Sequence, residues 1–223
     1  MLAASSSSGP SSKMVRGCCG FAYTRAIDRC ATVSVAGPAE HEAAGATAAH
    51  KKLRALSAKH GVKLFSFADE LAASAAYEIA CAGEIWLPES GVVGSIGVIA
   101  TAYDRTKQNS IIGLDIELIT SGDYKADGHP DRKLDGGIRA RIQTRVDELA
   151  AIFFGVVADA REMTMTAVAD LQAATFLGYE AVEVGIADGV AEWDAFLELV
   201  TKSETGIEPE QPITDMTAAI AAA

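Results

Sequence analysis

Hydrophobic residues fall along this chain in short runs that alternate with longer stretches of alanine and charge. Runs rich in β-branched and aromatic residues occupy 31–35, 63–67 and 85–87. These runs predict short buried strands, and nearby glycine or proline marks where they stop. An alternating run over 113–119 predicts another strand, and a mixed run over 92–99 predicts a buried turn that leads into one.

Helices are predicted between these runs. Alanine-rich residues with charges fill 40–59, and Gly61 marks the end of that helix. A long helix is predicted over 139–160 because its apolar positions recur close to a 3.6-residue period: Ile142, Val146, Leu149, Ile152, Phe153 and Val156. Shorter helices are predicted from Ser74 to Ala82 and at 101–109, 166–171 and 178–184. A late strand or turn is predicted at 186–190. Strands that alternate with helices predict an α/β fold with βαβ units and a helical C-terminal part.

The length of 223 residues fits one domain with tails. We expect residues 1–30 to form a divergent or disordered arm, because a serine-rich stretch opens the chain. Residues 31–200 are expected to form the folded domain. Residues 201–223 turn polar and then alanine-rich, so a flexible tail or linker is expected there.

Composition and charge narrow the range of functions. The formal net charge of −11 argues against nucleic acid or an anionic membrane surface as a partner. No apolar run reaches the roughly 18 residues of a membrane span, and the N-terminus lacks the basic start of a secretory signal. A cytoplasmic protein is therefore expected.

The sequence indicates neither a metal site nor a cofactor site. The four cysteines, Cys18, Cys19, Cys30 and Cys81, do not have the spacing of metal ligands and are expected to be reduced thiols. No phosphate-binding loop of the P-loop type occurs. We expect no cofactor.

Ser74 is the candidate nucleophile. It lies at a predicted turn into a helix, and its neighbours are alanines too small to shield it. Backbone N–H groups at a helix start can stabilise a developing oxyanion. Taken alone, the segment is more typical of an alanine-rich packing helix in which Ser74 is only a small residue.

Lys125 is the candidate base that would activate this hydroxyl. It lies in a loop punctuated by glycine, and as a base it needs burial to lower its pKa from about 10.4 towards neutrality. Asp123 and Asp127 would oppose that change if they pointed inward, so both are expected to face solvent. Ser95, in a glycine-flanked turn, could orient the lysine amine. His129 is interpreted as a loop histidine.

Together these segments resemble the S49 peptidases, the signal peptide peptidase A family, over about residues 63–190. The resemblance rests on AASAAY at 72–77, VGSIGV at 93–98 and SGDYK at 121–125, and on ATFLGYEA at 174–181 with GIADG at 185–189. It implies a ClpP/crotonase-like α/β fold and hydrolysis of peptide bonds through an acyl-enzyme. In it Ser74 is the nucleophile, Lys125 the general base and Ser95 the hydroxyl that orients the lysine.

One segment departs from the family pattern. The family's glycine-rich oxyanion loop follows an early strand, where this chain has Gly37 followed by Pro38, which has no N–H to donate. Gly37, Ala75 and Gly94 are the predicted oxyanion and substrate-binding residues. Losing one oxyanion donor lowers a rate by roughly a hundred- to a thousandfold.

The resemblance extends to a branch of the family. KADGHP at 125–130 and the long helix after it look most like the phage capsid assembly proteases, which cleave scaffold and capsid proteins. We expect a homo-oligomer that acts on such proteins. The alternatives are a catalytically impaired scaffold protein, a signal peptide peptidase-like bacterial protease, and a crotonase-type enzyme acting on acyl-CoA.

Overall fold

The computed structural model describes residues 12–17, 20–27, 30–35 and 45–205. Its strands are β1 (Ser12–Gly17), β2 (Gly20–Ile27), β3 (Cys30–Val35), β4 (Lys63–Phe67), β5 (Leu71–Ala73), β6 (Glu84–Leu87), β7 (Val92–Gly94), β8 (Thr175–Leu177) and β9 (Gly189–Val190). Its helices are α1 (Ala46–His60), α2 (Ala75–Ala80), α3 (Thr106–Ile111), α4 (Gly136–Arg161), α5 (Met165–Asp170), α6 (Gly178–Glu183) and α7 (Trp193–Thr205).

The strands form two sheets. The larger has the order β1-β2-β3-β4-β6-β9, and the smaller has the order β5-β7-β8. Pairing is antiparallel between β1, β2 and β3 and parallel from β3 through β4 and β6 to β9. In the smaller sheet β5 pairs in parallel with β7, and β7 pairs antiparallel with β8. Parallel strands joined through helices confirm the predicted α/β fold.

The two faces of β4 pack against different helices. The hydroxyl of Ser66 donates a hydrogen bond to the carbonyl of Ala80 in α2, at 2.7 Å. Phe65 and Phe67 point to the opposite face, because strand side chains alternate, and pack there against Phe196 of α7. The larger core cluster surrounds α2 and includes Tyr77 and residues of α4.

Several predicted elements agree closely with the structure. Residues 63–67 form β4, and the long predicted helix is α4. The carboxylate of Asp135 caps α4 by accepting from the N–H of Ile138 at 2.8 Å. Gly61 ends α1 in the left-handed conformation, with φ of 62°.

Other predictions were wrong. Residues 113–119 form no strand, and their side chains are mostly exposed. The run at 92–99 is a strand only to Gly94, and the helix predicted at 101–109 is confined to α3. The alternating pattern at 113–119 is typical of a strand, but no described strand lies beside it to supply hydrogen bonds.

Several elements were not anticipated from the sequence. The helix α7 covers the aromatic face of the sheet, and β8 adds an edge to the smaller sheet. Strands β1 and β2 lie within the residues expected to form an arm. Residues 1–11 and 206–223 lie outside the described residues, so the proposed division into arm, domain and tail stays a prediction.

Candidate active site

Ser74 lies at the junction between β5 and α2, in a rare backbone conformation. Its φ is 54° and its ψ is −124°, a region that residues other than glycine seldom adopt. The chain therefore turns sharply from strand to helix at this one residue. Such a turn is the arrangement that presents a nucleophilic serine in unrelated hydrolases.

The neighbouring strand holds Ser74 in this conformation. The N–H of Ser74 donates to the carbonyl of Gly94 at 2.9 Å, and Ala73 pairs with Gly94 in the parallel ladder. Gly94 has φ of 117°, and a Cβ there would lie 2.6 Å from the carbonyl oxygen of Ala174. Only glycine fits that position, and strained residues persist where the surroundings fix them so firmly.

A buried tyrosine fixes the other end of the first turn of α2. The Tyr77 hydroxyl donates to the carbonyl of Ile186 at 2.9 Å, and Tyr77 is fully buried. Burial raises the pKa of this phenol well above its usual value, so it stays a hydrogen-bond donor. Tyr77 thereby connects the helix that follows Ser74 to the turn that precedes β9.

An arginine–aspartate pair holds the same turn. Arg161, the last residue of α4, donates two hydrogen bonds to the carboxylate of Asp188, at 2.6 and 3.1 Å, and one to the carbonyl of Gly185 at 3.0 Å. Asp188 also accepts from the N–H of Ile85 at 2.6 Å. Burial lowers the pKa of Arg161, but the hydrogen bonds and charge of Asp188 outweigh it, so the net shift is upward. Helix α4, β6 and the turn are thus joined around α2.

Ser95 follows β7 as Ser74 follows β5. It too has a positive φ, 52°, and its N–H donates to the carbonyl of Ala174 at 2.8 Å. Because β5 and β7 are parallel neighbours, the two serines emerge at the same edge of the smaller sheet. The structure therefore brings the backbones of these two predicted site residues together.

Lys125 is placed differently. It lies in a series of turns over 121–128, where its N–H donates to the carbonyl of Gly122 at 3.2 Å, and the residue is exposed. Within residues 45–202, no hydrogen bond joins its ammonium group to the hydroxyl of Ser74 or Ser95. Among the described residues, Lys125 therefore lacks the burial that a neutral lysine needs.

The prediction that Asp127 faces solvent was wrong. Its side chain is only 14% exposed and forms ion pairs with Arg141 and Arg132. Hydrogen bonding from Arg141 lowers the pKa of Asp127, so this carboxylate is firmly ionised. Asp123, by contrast, is exposed as predicted.

Of the remaining predicted residues, Gly37 lies outside the described residues. Ala75 is the first residue of α2 and is buried, and its N–H has no acceptor within the helix. Gly94 contributes its carbonyl to Ser74, as described above. Ala75 therefore stays the predicted oxyanion donor, while Gly94 has a clear structural role.

Sequence reasoning missed a buried polar cluster behind α2, made of Thr47, His50, Glu78 and Cys81. The ring Nδ1 of His50 is 2.9 Å from the carbonyl of Glu78, and the hydroxyl of Thr47 donates to the Glu78 carboxylate. Burial raises the pKa of Cys81 to about 12, so this thiol is a poor nucleophile. His50 also lines an open cavity of about 300 Å³, together with Lys51, Arg54, Val156 and Asp159.

The described residues contain neither a cluster of metal-binding side chains nor a helix that could span a membrane. No group of three or more His, Cys, Asp or Glu side chains in the described part of the chain could hold a metal ion. None of the helices described has the length and apolar character that crossing a bilayer requires.

Comparison with known proteins gives a family and several relatives. The model of peptidase family S49 matches residues 56–207. The chain is 30% identical over 126 residues to the capsid assembly protease C of Escherichia phage lambda, covering 56% of this chain and 29% of that protein. It is 31% identical over 126 residues to the head-tail preconnector protein GP5 of Enterobacteria phage P21, covering 56% and 25%.

A third relative is named as an ion antiporter and not as a phage protein. Over 165 residues the chain is 29% identical to the Na(+)/H(+) antiporter NhaA of Brucella melitensis, covering 73% of this chain and 22% of that protein. The chain thus spans less than a third of the length of each of these curated relatives.

Solved structures show weak overall similarity. A peptidase from Plasmodium falciparum superposes with a TM-score of 0.44 at 8% identity, covering 74% of this chain and 79% of that chain. A ClpP1 variant from Listeria monocytogenes also gives a TM-score of 0.44, at 10% identity, covering 74% and 75%.

Proposed function

The chain belongs to peptidase family S49, and from this premise we propose that it is a serine endopeptidase that uses a Ser74–Lys125 dyad. The observation that carries the proposal is the conformation of Ser74. Its φ of 54° and ψ of −124° between a strand and a helix are strained, and a strained residue of this kind is typical of a functional site. A packing serine in an alanine-rich helix would need no such conformation.

The proposed reaction begins with proton transfer. The neutral amine of Lys125 takes the proton of the Ser74 hydroxyl as its oxygen attacks the peptide carbonyl. The negative charge that develops on the carbonyl oxygen is stabilised by backbone N–H groups, of which Ala75 supplies one. The lysine ammonium then gives its proton to the leaving amine, and an ester remains on Ser74.

The second half of the reaction releases the acyl group. Water enters after the amine product has left, and the Lys125 amine takes a proton from it as it attacks the ester. The proton returns to the Ser74 oxygen when the carboxylic acid is released. Ser95, at the same sheet edge as Ser74, is proposed to orient the lysine amine by a hydrogen bond. No metal or cofactor takes part in this scheme.

We further propose that the substrates are scaffold or capsid proteins during the maturation of a phage head. Two phage relatives near 30% identity, one of them named as a capsid assembly protease, support this. The protein would then act in the host cytoplasm or the assembling virion.

A second copy of the chain is the proposed cover for Lys125. The segment just before the lysine loop exposes large apolar side chains, including Ile111 at 84% and Ile119 at 91% exposure. Contiguous exposed apolar residues mark contact surfaces, and an unpaired run with strand-like alternation is suited to pairing with another chain. Packing a second copy there would remove water from around Lys125 and so favour the neutral amine.

The assembly is tested by removing the apolar side chains of the segment. We expect Leu114→Asp with Ile116→Asp to reduce the mass measured by sedimentation equilibrium to that of one chain, and to slow Ser74 modification. Asp115→Asn, in the same segment, is the control and should leave the mass unchanged. An assembly that survives the double substitution would show that another surface joins the copies.

The nucleophile is tested with a fluorophosphonate probe, which forms a covalent bond with an activated serine. Mass spectrometry should find one adduct on Ser74 in the unchanged chain and none in Ser74→Ala, which should retain its thermal midpoint because only a small hydroxyl is lost. Ser110→Ala, a change at an exposed serine of α3, should label normally. No adduct in the unchanged chain, or an adduct that persists in Ser74→Ala, would refute the proposed function.

A further inference from the structure

We propose that Arg141 is a positioning residue that fixes the Lys125 loop to helix α4. The inference rests on the proposed function, since it concerns the base of that reaction. Lys125 lies in an exposed series of turns with no strand or helix of its own. A catalytic base must nevertheless be held in a defined place, because a small displacement lowers the rate greatly.

The contacts of Arg141 lie on both sides of Lys125. On one side, Nε and Nη2 of Arg141 donate to the two carboxylate oxygens of Asp127, at 2.6 and 3.1 Å. On the other, the guanidinium carbon is 4.6 Å from the centre of the Tyr124 ring, in cation–π geometry. One side chain therefore holds the residue before the lysine and the residue two places after it.

Arg132 has a different part in the same loop. Its Nη1 donates to the carbonyl of Asp123 at 3.0 Å and lies 3.2 Å from an oxygen of Asp127. Because Arg132 belongs to the loop, these bonds close the loop on itself. Arg141 belongs to α4, so its bonds attach the closed loop to a rigid element.

Helix α4 also contacts the half of the site that carries Ser74. Its residues Phe153, Val156 and Val157 pack in the core cluster that contains α2, and Arg161 at its end holds the turn bonded to Tyr77. Arg141 and Phe153 are twelve residues apart, about 18 Å along a helix. Within one chain, α4 thus sets the distance between the Ser74 region and the Lys125 loop. Arg141 is the residue that attaches the loop to this helix.

The chemistry of arginine suits this role better than that of lysine. The planar guanidinium binds a carboxylate with two parallel hydrogen bonds and stacks on an aromatic ring at the same time. A lysine ammonium keeps the charge but can do neither in that geometry. We therefore expect Arg141→Lys to restore only a small part of the function that Arg141→Met loses.

The first test is cleavage by trypsin after Lys125, followed by mass spectrometry of the full chain. Ala126 is buried, so the Lys125–Ala126 bond is cut only when the loop opens. We expect Arg141→Met to speed this cut about tenfold relative to a cut after Lys59 in α1, which reports general unfolding. Arg145→Met is the matched control, since Arg145 lies one turn further along α4 and forms an ion pair with exposed Glu148.

The second test is the rate of Ser74 modification by the fluorophosphonate. Arg141→Met should lower the maximal rate constant about ten- to a hundredfold with little change in probe affinity, whereas Arg145→Met should change neither. Arg141→Lys, with its charge retained, covers the case in which the methionine variant fails to fold.

The outcomes separate the two proposals. If the cut after Lys125 is no faster in Arg141→Met or Arg141→Lys than in the Arg145 control, the positioning role is refuted. It is also refuted if the loop opens but Ser74 is modified at the normal rate. If Ser74 is not modified in the unchanged chain, the proposed function fails, while the trypsin result still shows whether Arg141 holds the loop.

Discussion

The two halves of the proposed site are built in opposite ways. Around Ser74 the backbone is fixed by a neighbouring strand, a buried tyrosine and an ion pair between Arg161, whose side chain is mostly covered, and Asp188. Around Lys125 the loop is held by arginine side chains near the surface, and the lysine is exposed. In the described part of the chain, the surroundings of the proposed nucleophile are complete, whereas Lys125, the proposed base, is left exposed. We expect a substrate or a second copy of the chain to supply the burial of Lys125.

Chemistry explains why the halves differ. A serine in a strained conformation relaxes unless its surroundings hold it, so the protein interior must supply rigidity. A lysine base needs removal from water as well as a fixed position, and water can be excluded when a partner binds. Three predictions of stability test this contrast, in order of decreasing expected effect.

Adding one methyl group should affect the two halves very differently. In Gly94→Ala the new Cβ meets a backbone oxygen at 2.6 Å, so we expect at least about 3 kcal/mol less free energy of unfolding. In Gly128→Ala the nearest atom is a side-chain carbon at 3.7 Å, so only the cost of a left-handed alanine, about 1–2 kcal/mol, is expected. Urea unfolding measures both, and equal losses would mean that the Ser74 half is no more rigid than the Lys125 half.

The next largest difference in stability is expected when an arginine is removed from a mostly covered ion pair and, in a second variant, from an exposed one. Arg161 has a side chain 10% exposed and holds Asp188, so Arg161→Met should lower the free energy of unfolding by about 2–3 kcal/mol. Arg145→Met, on the same helix, removes an exposed pair and should cost less than about 0.5 kcal/mol. Thermal and urea unfolding report the difference. A loss at Arg161 as small as that at Arg145 would contradict the anchoring of α2 through this turn.

The buried cluster behind α2 should give a weak dependence of stability on pH. Burial, opposed by the hydrogen bond to the carbonyl of Glu78, lowers the pKa of His50 from 6.5, and nearby Arg54 and Lys51 lower it further while Asp159 raises it. The folded state therefore binds a proton less readily than the unfolded state. The stabilisation is present above about pH 6.5 and is lost as the pH falls towards the lowered folded value.

The measurement for this cluster is the free energy of unfolding from pH 8 to pH 5. We expect His50→Gln to flatten the curve below pH 6.5, whereas His60→Gln, a change at an exposed histidine, should leave it unchanged. This is the smallest of the expected effects. A curve of unchanged slope in His50→Gln would show that this ring does not titrate with folding.

The sequence predicted the structure around Ser74 better than the structure around Lys125. Around Ser74 the pattern sufficed: β4, the turn at Ser74 and the helix after it were predicted, because buried strands and caps have local signatures. The strain at Ser74 and its bond to Gly94 were not predictable, since they depend on the pairing of β5 with β7. The contact of Tyr77 with Ile186 joins residues too distant in sequence to be anticipated.

Around Lys125 the sequence misled in two places. The alternation at 113–119 is typical of a strand, but a strand also needs a neighbour, which periodicity cannot reveal. Asp127 was expected in water, and its pairing with Arg141 depends on how the loop lies on α4. Local patterns predict elements, whereas the contacts that place the base arise from tertiary structure.

The proposed function depends on activation of the Ser74 hydroxyl by the Lys125 amine, and the rate of Ser74 modification by a fluorophosphonate measures that activation. We expect Lys125→Met to lower that rate by about a hundredfold or more. Lys133→Met, which removes another exposed lysine just after the same loop, should leave the rate unchanged. Equal rates in the two variants, with both proteins folded, would contradict the role assigned to Lys125.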